Sequence, residues 1–301
     1  MNTVWGEISV TDAHIHFLSH GFFSALAGED VEKTTGILGW TTPPADPKEL
    51  AARWVNELDR HGVARAALIS SLPGDEPSVA AAIAQFPRRF YGFFMLNPVA
   101  EGALERVESA LGAGLQGICL FPAMHRYSMN DPRVEPILQA AETRTGVVIF
   151  VHCGVLTVGI RRKLGLASPF DMRYSNPIDL HPIALLHPKL NFVVPHFGAG
   201  YFREALMLAD LCSNVYLDTS SSNSWVRYQT SDLDLKSVFR RTLDVAGATR
   251  LLFGTDSSFF PRGWNASVFA GQAQALQELA IGAGDAKAIF GGNLERLLRR
   301  G

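Results

Sequence analysis

Five residues in this chain have the types and the spacing to do chemistry together: His14, His16, His152, His196 and Asp256. The first two lie in Thr11-Asp12-Ala13-His14-Ile15-His16, directly after the apolar run Ile8-Ser9-Val10. Residues 8–16 read as a strand and its exit. Side chains alternate along a strand, so His14 and His16 share a face, with Cα atoms ~7 Å apart at ~3.3 Å per residue. Two imidazoles at that spacing can lean onto one metal ion, which takes nitrogen at ~2.0–2.1 Å. The bland alternative is a pair of histidines on an exposed strand end. Asp12 shares their face one step deeper, where a carboxylate can hydrogen-bond a ligand or the structure beneath it. His152 closes Phe150-Val151-His152-Cys153-Gly154. His196 follows Pro195 and leads into Phe197-Gly198-Ala199-Gly200. Asp256 falls in Phe253-Gly254-Thr255-Asp256-Ser257. Each follows a short apolar run, so each marks the carboxyl end of a strand.

The elements that must position them follow from those runs. β-branched and aromatic stretches occur at 8–13, 64–70, 90–96, 115–121, 147–152, 191–196, 214–218 and 250–255. Most are apolar on both faces, as strands of a covered parallel sheet are. Helical patterns lie between them, at 50–61, around Val79-Ile83-Phe86, around Leu104-Val107-Leu111, and around Phe202-Ala205-Leu206-Ala209. Others occupy 235–245, 268–279 and 285–298. Asp131 before Pro132 reads as an N-cap for a helix carrying Val134, Ile137, Leu138 and Ala141. Strands alternating with helices over this length predict an α/β fold, a (β/α)8 TIM barrel in one domain spanning 1–301. A doubly wound open sheet is the alternative. A barrel sets the first and eighth strands side by side and the fifth across the mouth. Imidazoles and a carboxylate then converge on the face where barrel enzymes place their sites. That N/O donor set suits zinc and, less selectively, other divalent transition metals such as manganese.

The ordered set D-x-H-x-H, V-H, H-x-G-x-G and G-T-D runs from residue 12 to 256. On it the chain resembles the amidohydrolase superfamily, in the amidohydrolase-2 branch that includes aminocarboxymuconate semialdehyde decarboxylase. The resemblance implies a deformed (β/α)8 barrel, one divalent metal and a homodimer. It implies His14, His16, His152 and Asp256 as metal ligands, and His196 as the unligated histidine beside them. Two-metal members carry a carboxylated lysine at the end of the fourth strand. Here that strand reads Gly117-Ile118-Cys119-Leu120-Phe121, without lysine, so a single metal is expected; a Cys119 thiolate bridge is the alternative.

Composition narrows the partners. The chain has 301 residues, a net charge of −2 and no long basic stretch, which argues against nucleic acid and acidic membrane surfaces and leaves a small-molecule substrate. No apolar run approaches the ~20 residues of a membrane span. The first residues form neither a basic nor an apolar leader region. Three widely spaced cysteines do not make a disulfide framework, so a reducing, cytoplasmic location is expected. Long connections at 17–46 and 153–177 leave strand carboxyl ends, the usual origin of lids and binding loops. Phe17, Phe22, Phe23, Trp40, Phe121, Trp225 and Phe259 suggest an aromatic-sized pocket or, equally, ordinary core. Ser220-Ser221-Ser222-Asn223-Ser224-Trp225 either lines that pocket or caps the next helix. Arg126 and Arg262 either clamp a substrate carboxylate or make surface ion pairs. Gly198 and Gly200 read as a tight βα turn, since Arg203 stands where a dinucleotide motif needs its third glycine.

Three functions are compatible with these residues. The first is hydrolysis of an amide, ester or lactone, with Asp256 moving the proton and His196 polarising the carbonyl or stabilising the oxyanion. The second is non-oxidative decarboxylation of a small aromatic or unsaturated acid, which needs cations such as Arg126 or Arg262 over the leaving carboxylate. The third is a catalytically silent metal-binding barrel.

Overall fold

A computed structural model describes residues 1–27 and 30–299. After a small hairpin pairing Asn2–Thr3 with Gly6–Glu7, eight parallel strands run in chain order. They are β1 (Val10–Phe17), β2 (Val63–Ser70), β3 (Phe90–Leu96), β4 (Gly117–Leu120), β5 (Val148–Val151), β6 (Asn191–Val194), β7 (Val215–Asp218) and β8 (Leu251–Leu252). Each pairs with its sequence neighbour, so the order never reverses and the open doubly wound sheet is excluded.

The seam between the last and first strands closes beyond β8 itself. Ala13 N–H donates to Phe253 O at 2.8 Å, His16 N–H to Ser257 O at 2.7 Å, and Asp256 N–H to His14 O at 3.0 Å. Ile15 and Ser257 form an isolated parallel bridge. The seam therefore runs through the residues that carry the candidate chemistry. β1 also slips one residue against β2 between Asp12 and Ile15, a bulge of the kind that re-aims side chains beside active sites.

Ala13, Ala67, Phe93, Met95, Cys119, Phe150, Val193 and Leu252 fill the barrel, and Leu294, Leu297 and Leu298 close its floor. Each large side chain buried there contributes about 1.5–3 kcal/mol of transfer free energy. The outer helices include α1 (Pro47–His61), α2 (Glu76–Gln85), α3 (Ala103–Gly112), α4 (Glu135–Glu142), α5 (His181–Leu186), α6 (Phe202–Leu211), α7 (Leu235–Ala246) and α8 (Ala266–Glu278). α1 shows why such segments are helical. Asp46 caps its first turn by accepting from Lys48 N–H, Pro47 opens it, and Gly62 ends it in the left-handed region. Leu50, Ala51, Trp54 and Leu58 then face the sheet.

Three elements depart from the expected boundaries. Asp131 caps a turn rather than α4: its carboxylate binds the Arg133 backbone and guanidinium, and the helix begins at Glu135. β8 is only two residues long, because Phe253 N–H turns away to Ile289 O. The helix expected over 285–298 is broken into Ala283–Lys287 and Asn293–Leu297 by a wide turn, Ala288–Gly292. There the chain docks under β1 and β8. Gly291 packs on the Ser9 and Thr11 backbone, and Asn293 donates to Ala248 O and Leu251 O at 2.8 Å each.

Two long loops cover the carboxyl-end face. The one after β1 carries helices His20–Ala27 and Val31–Leu38; the one after β5 carries Gly159–Lys163. They meet in an apolar cluster of Phe22, Phe23, Val31, Leu38 and Ile160. Among the described residues no helix is long and apolar enough to cross a membrane.

Candidate metal centre and substrate cavity

His14, at the end of β1, has its two ring edges in different surroundings. On the inner edge, Nδ1 lies 2.7 Å from Asp218 Oδ2, a fully buried carboxylate at the end of β7. An ionised carboxylate only accepts, so Nδ1 carries the hydrogen and Nε2 carries a lone pair. On that outer edge His14 Nε2 stands 3.4 Å from His16 Nε2 and 3.8 Å from Asp256 Oδ1. His16 is held likewise. Ser71 Oγ donates to Ile69 O and accepts from His16 Nδ1–H at 2.7 Å, leaving Nε2 free for Asp256 Oδ1 at 3.2 Å. Two nitrogen lone pairs and a carboxylate oxygen thus point at one space. Donors of this kind repel one another unless a cation lies among them. The set fits a divalent transition metal.

The local field draws positive charge, a proton or a cation, into the same space. Burial pulls the His14 pKa down, yet Asp218, Asp256 and Asp12 outweigh it and leave it raised. Burial opposes ionisation of Asp256, but the imidazoles of His16, His196 and His14 hold its pKa below the usual carboxylate range. Asp256 takes a left-handed backbone, φ 57°, as does His196. Non-glycine residues in that region cost of order 1–3 kcal/mol and cluster at functional sites. Arg262 braces the strained turn by donating to Asp256 O at 3.1 Å.

Asp12 does not reach an imidazole. It accepts from His14 N–H, Thr255 N–H, Thr255 Oγ1–H and Trp264 Nε1–H at 2.5–3.1 Å, and burial raises its pKa to about 6. It pins the exit of β8 to β1. The carboxylate that orients a histidine ring is Asp218. The strand-end rule that singles out Asp256 applies to Asp218 as well, so its signal is present in the sequence. Ser71 offers none.

The donors open into a cavity of about 480 Å³, lined by His152, His196, Phe121, Trp225, Phe22, Trp40 and Phe259 among others. A volume of this size takes a small organic molecule. The amidohydrolase family profile matches residues 11–300. The chain belongs to the amidohydrolase family. A stretch of 94 residues is 37% identical to protein fluG of Emericella nidulans, covering 31% of this chain and 10% of that much longer protein. Among solved structures, the chain is similar to a probable 2-pyrone-4,6-dicarboxylic acid hydrolase from Acinetobacter baumannii with citric acid bound. That match has TM-score 0.62 and 14% identity over 97% of this chain and 99% of the other. It is similar also to an amidohydrolase from Burkholderia multivorans with bound zinc, with TM-score 0.63 and 16% identity over 97% and 99%. These likenesses show the barrel fold. Membership of the family makes the chain an enzyme and implies a divalent metal.

In this amidohydrolase the four ligands implied by the resemblance are not equivalent. His14, His16 and Asp256 form one close donor group, whereas His152 stands outside it. Its ring stacks on Phe121 at 5.4 Å and abuts His196 at 5.3 Å. Burial, then His196 and His14, keep it neutral, and its Nδ1 is buried without a partner among the described residues. A second close group, His14, His196 and Asp218, lies on the inner edge. Ser220 Oγ already fills it, 2.8 Å from Asp218 Oδ2 and 3.1 and 2.9 Å from the two Nδ1 atoms. Cys119 is a buried thiol inside the barrel, its pKa pushed up by burial, and it joins neither group.

The substrate-contact candidates divide. Phe121 and Trp225 line the cavity. Arg126 and Arg262 do not: Arg126 donates to Pro169 O, and Arg262 lies over the Phe259 ring and binds Asp256 O and Ser258 Oγ. The cations that line the cavity are Lys163, 5.8 Å from the Trp40 ring, and Arg227, 4.9 Å from the Tyr228 ring. Neither has a carboxylate partner among the described residues. The serine run both lines and supports: Ser221 and Ser224 face the cavity, while Ser220 lies buried beneath it.

Proposed function

We propose that this amidohydrolase is a mononuclear, metal-dependent hydrolase of a small carboxylated ester, lactone or amide. The observation that carries it is the convergence of His14 Nε2, His16 Nε2 and Asp256 Oδ1 at the cavity floor. These three would hold the ion, with the neutral His152 as fourth donor. Zinc is the metal such a nitrogen-rich set favours, with manganese the alternative. A divalent cation there supplies Lewis acidity, polarising a carbonyl and acidifying water. Asp256, kept ionised by the surrounding imidazoles, takes a proton from the attacking water and returns it to the leaving oxygen or nitrogen. Phe121, Trp225, Trp40 and Phe259 supply flat apolar walls, and Lys163 and Arg227 answer a substrate carboxylate. The Acinetobacter relative's name, a hydrolase of a dicarboxylated pyrone, fits a lactone of this kind. Arg126 and Arg262 do not serve decarboxylation, but Lys163 and Arg227 would face a leaving carboxylate equally well, so a substrate panel separates the two reactions.

The test is elemental analysis of protein purified without added metal, beside a His14→Ala/His16→Ala control, followed by a substrate panel. About one equivalent of zinc is expected, absent from the control. Acid release from 2-pyrone-4,6-dicarboxylate or a simpler carboxylated lactone should accompany it. No metal after reconstitution would overturn the proposal, and carbon dioxide release from aromatic acids would replace hydrolysis with decarboxylation.

A further inference from the structure

Ser220 has one hydroxyl hydrogen and three close polar neighbours, and their chemistry decides where that hydrogen goes. Its Oγ is 2.8 Å from Asp218 Oδ2, while its backbone N–H donates to Asp218 Oδ1, also at 2.8 Å. Both residues are fully buried. If Oγ did not donate to Asp218, two oxygens would meet lone pair to lone pair without water, a costly arrangement in the interior. The hydrogen therefore goes to Asp218. What remains on Ser220 Oγ is acceptor capacity, and it faces His196 Nδ1 at 2.9 Å. A second contact points the same way: His196 Nδ1 is 3.3 Å from the Ser220 carbonyl oxygen, which never donates. Two acceptors on one ring nitrogen place the hydrogen on Nδ1.

We propose that Asp218 and Ser220 form a relay that fixes His196 in the Nδ1–H form and aims its Nε2 lone pair into the cavity. Ser220 is then a positioning residue. The same carboxylate orients His14, so one buried acid sets two rings at once. In its resting form His196 accepts a proton or ligates, and it donates to a carbonyl oxygen or oxyanion only after taking up that proton. The left-handed backbone from His196 to Gly200, φ between 43° and 105°, turns the ring back against β7 and makes this contact. The proposal deepens the hydrolase reading, but its test does not depend on it.

Long-range nitrogen–proton NMR on metal-free protein carrying ring-15N histidine reports which nitrogen is protonated, with His196→Gln assigning the signal. The wild type is expected to show His196 with Nδ1 protonated and Nε2 bare. Ser220→Ala should shift it toward the Nε2–H form that free histidine side chains favour, and Ser220→Thr should restore the wild-type pattern. An Nε2–H ring or an imidazolium at neutral pH in the wild type would overturn the relay. So would a Ser220→Ala protein whose His196 spectrum is unchanged. Failure of the metal analysis with the relay intact would instead remove the hydrolase reading alone.

Discussion

At the scale of single residues, the site is a matter of which ring edge is occupied. His14 and His16 present Nε2 to the cavity because Asp218 and Ser71 take their Nδ1 hydrogens. His152 has no such partner, so its orientation rests on stacking with Phe121. As the proposed fourth donor it should hold an ion less firmly than the other three. His152→Ala is expected to weaken zinc binding at least ~10-fold in a competition assay with a chelating dye, whereas His14→Ala abolishes it. Unchanged affinity would leave a three-donor site. Away from the centre, burial lowers the His125 pKa from 6.5 to about 4. Between those values the unfolded chain binds a proton that the folded chain refuses. Stability from this residue is full above pH 6.5 and is lost as pH falls toward 4. His125→Gln should flatten the decline of the urea midpoint across that window.

At the scale of elements, close approach at the strand ends explains two glycines. A Cβ on Gly254 would lie 2.7 Å from Asp218 Oδ1 and 2.9 Å from both His14 Cβ and Ser220 Cβ. Gly154, φ 78°, has no room against the backbone of Gly198 and Ala199. Gly254→Ala should cost ~1–3 kcal/mol in urea unfolding and disturb the His14 ring signals, because it pushes β8 off the Asp218–Ser220 pair. The residues of H-C-G and G-T-D were legible as strand ends because apolar runs precede them, and so were the eight strands. The breaks were less so. Gly291-Gly292 is a turn signal that the helical pattern over 285–298 passes over, and the width of the turn comes from the Ser9 and Thr11 backbone far away in the sequence. Asp131 beside Pro132 satisfies every local rule for a cap, yet its carboxylate is taken by Arg133. The cavity cations escaped for the same reason. Lys163 and Arg227 lie in loops whose direction only tertiary packing sets, and the same packing turns Arg126 and Arg262 away from the cavity.

At the scale of the whole molecule, the barrel is held shut by polar bonds as well as by its core. Asp12 accepts four hydrogen bonds, three of them from residues beyond β8. Asp12→Asn leaves a donor facing donors there, and an unsatisfied buried group costs about 1–3 kcal/mol. Its urea midpoint should drop accordingly, with exchange of the Ala13 and Asp256 amides accelerated more than that of β4 or β5. A midpoint within error of wild type would show that the seam is held elsewhere.

That His14 and His16 lie on the first barrel strand while Asp256 follows the last has a consequence for how the protein is made. On the ribosome, a nascent chain that has not yet emerged past residue 256 holds two of the three close donors and lacks the third. A cation that needs all three donors would thus be captured only once residue 256 has emerged. The binding free energy of such a cation, about 2.7 kcal/mol at a hundredfold excess over Kd, would then be available to clasp the first strand to the last.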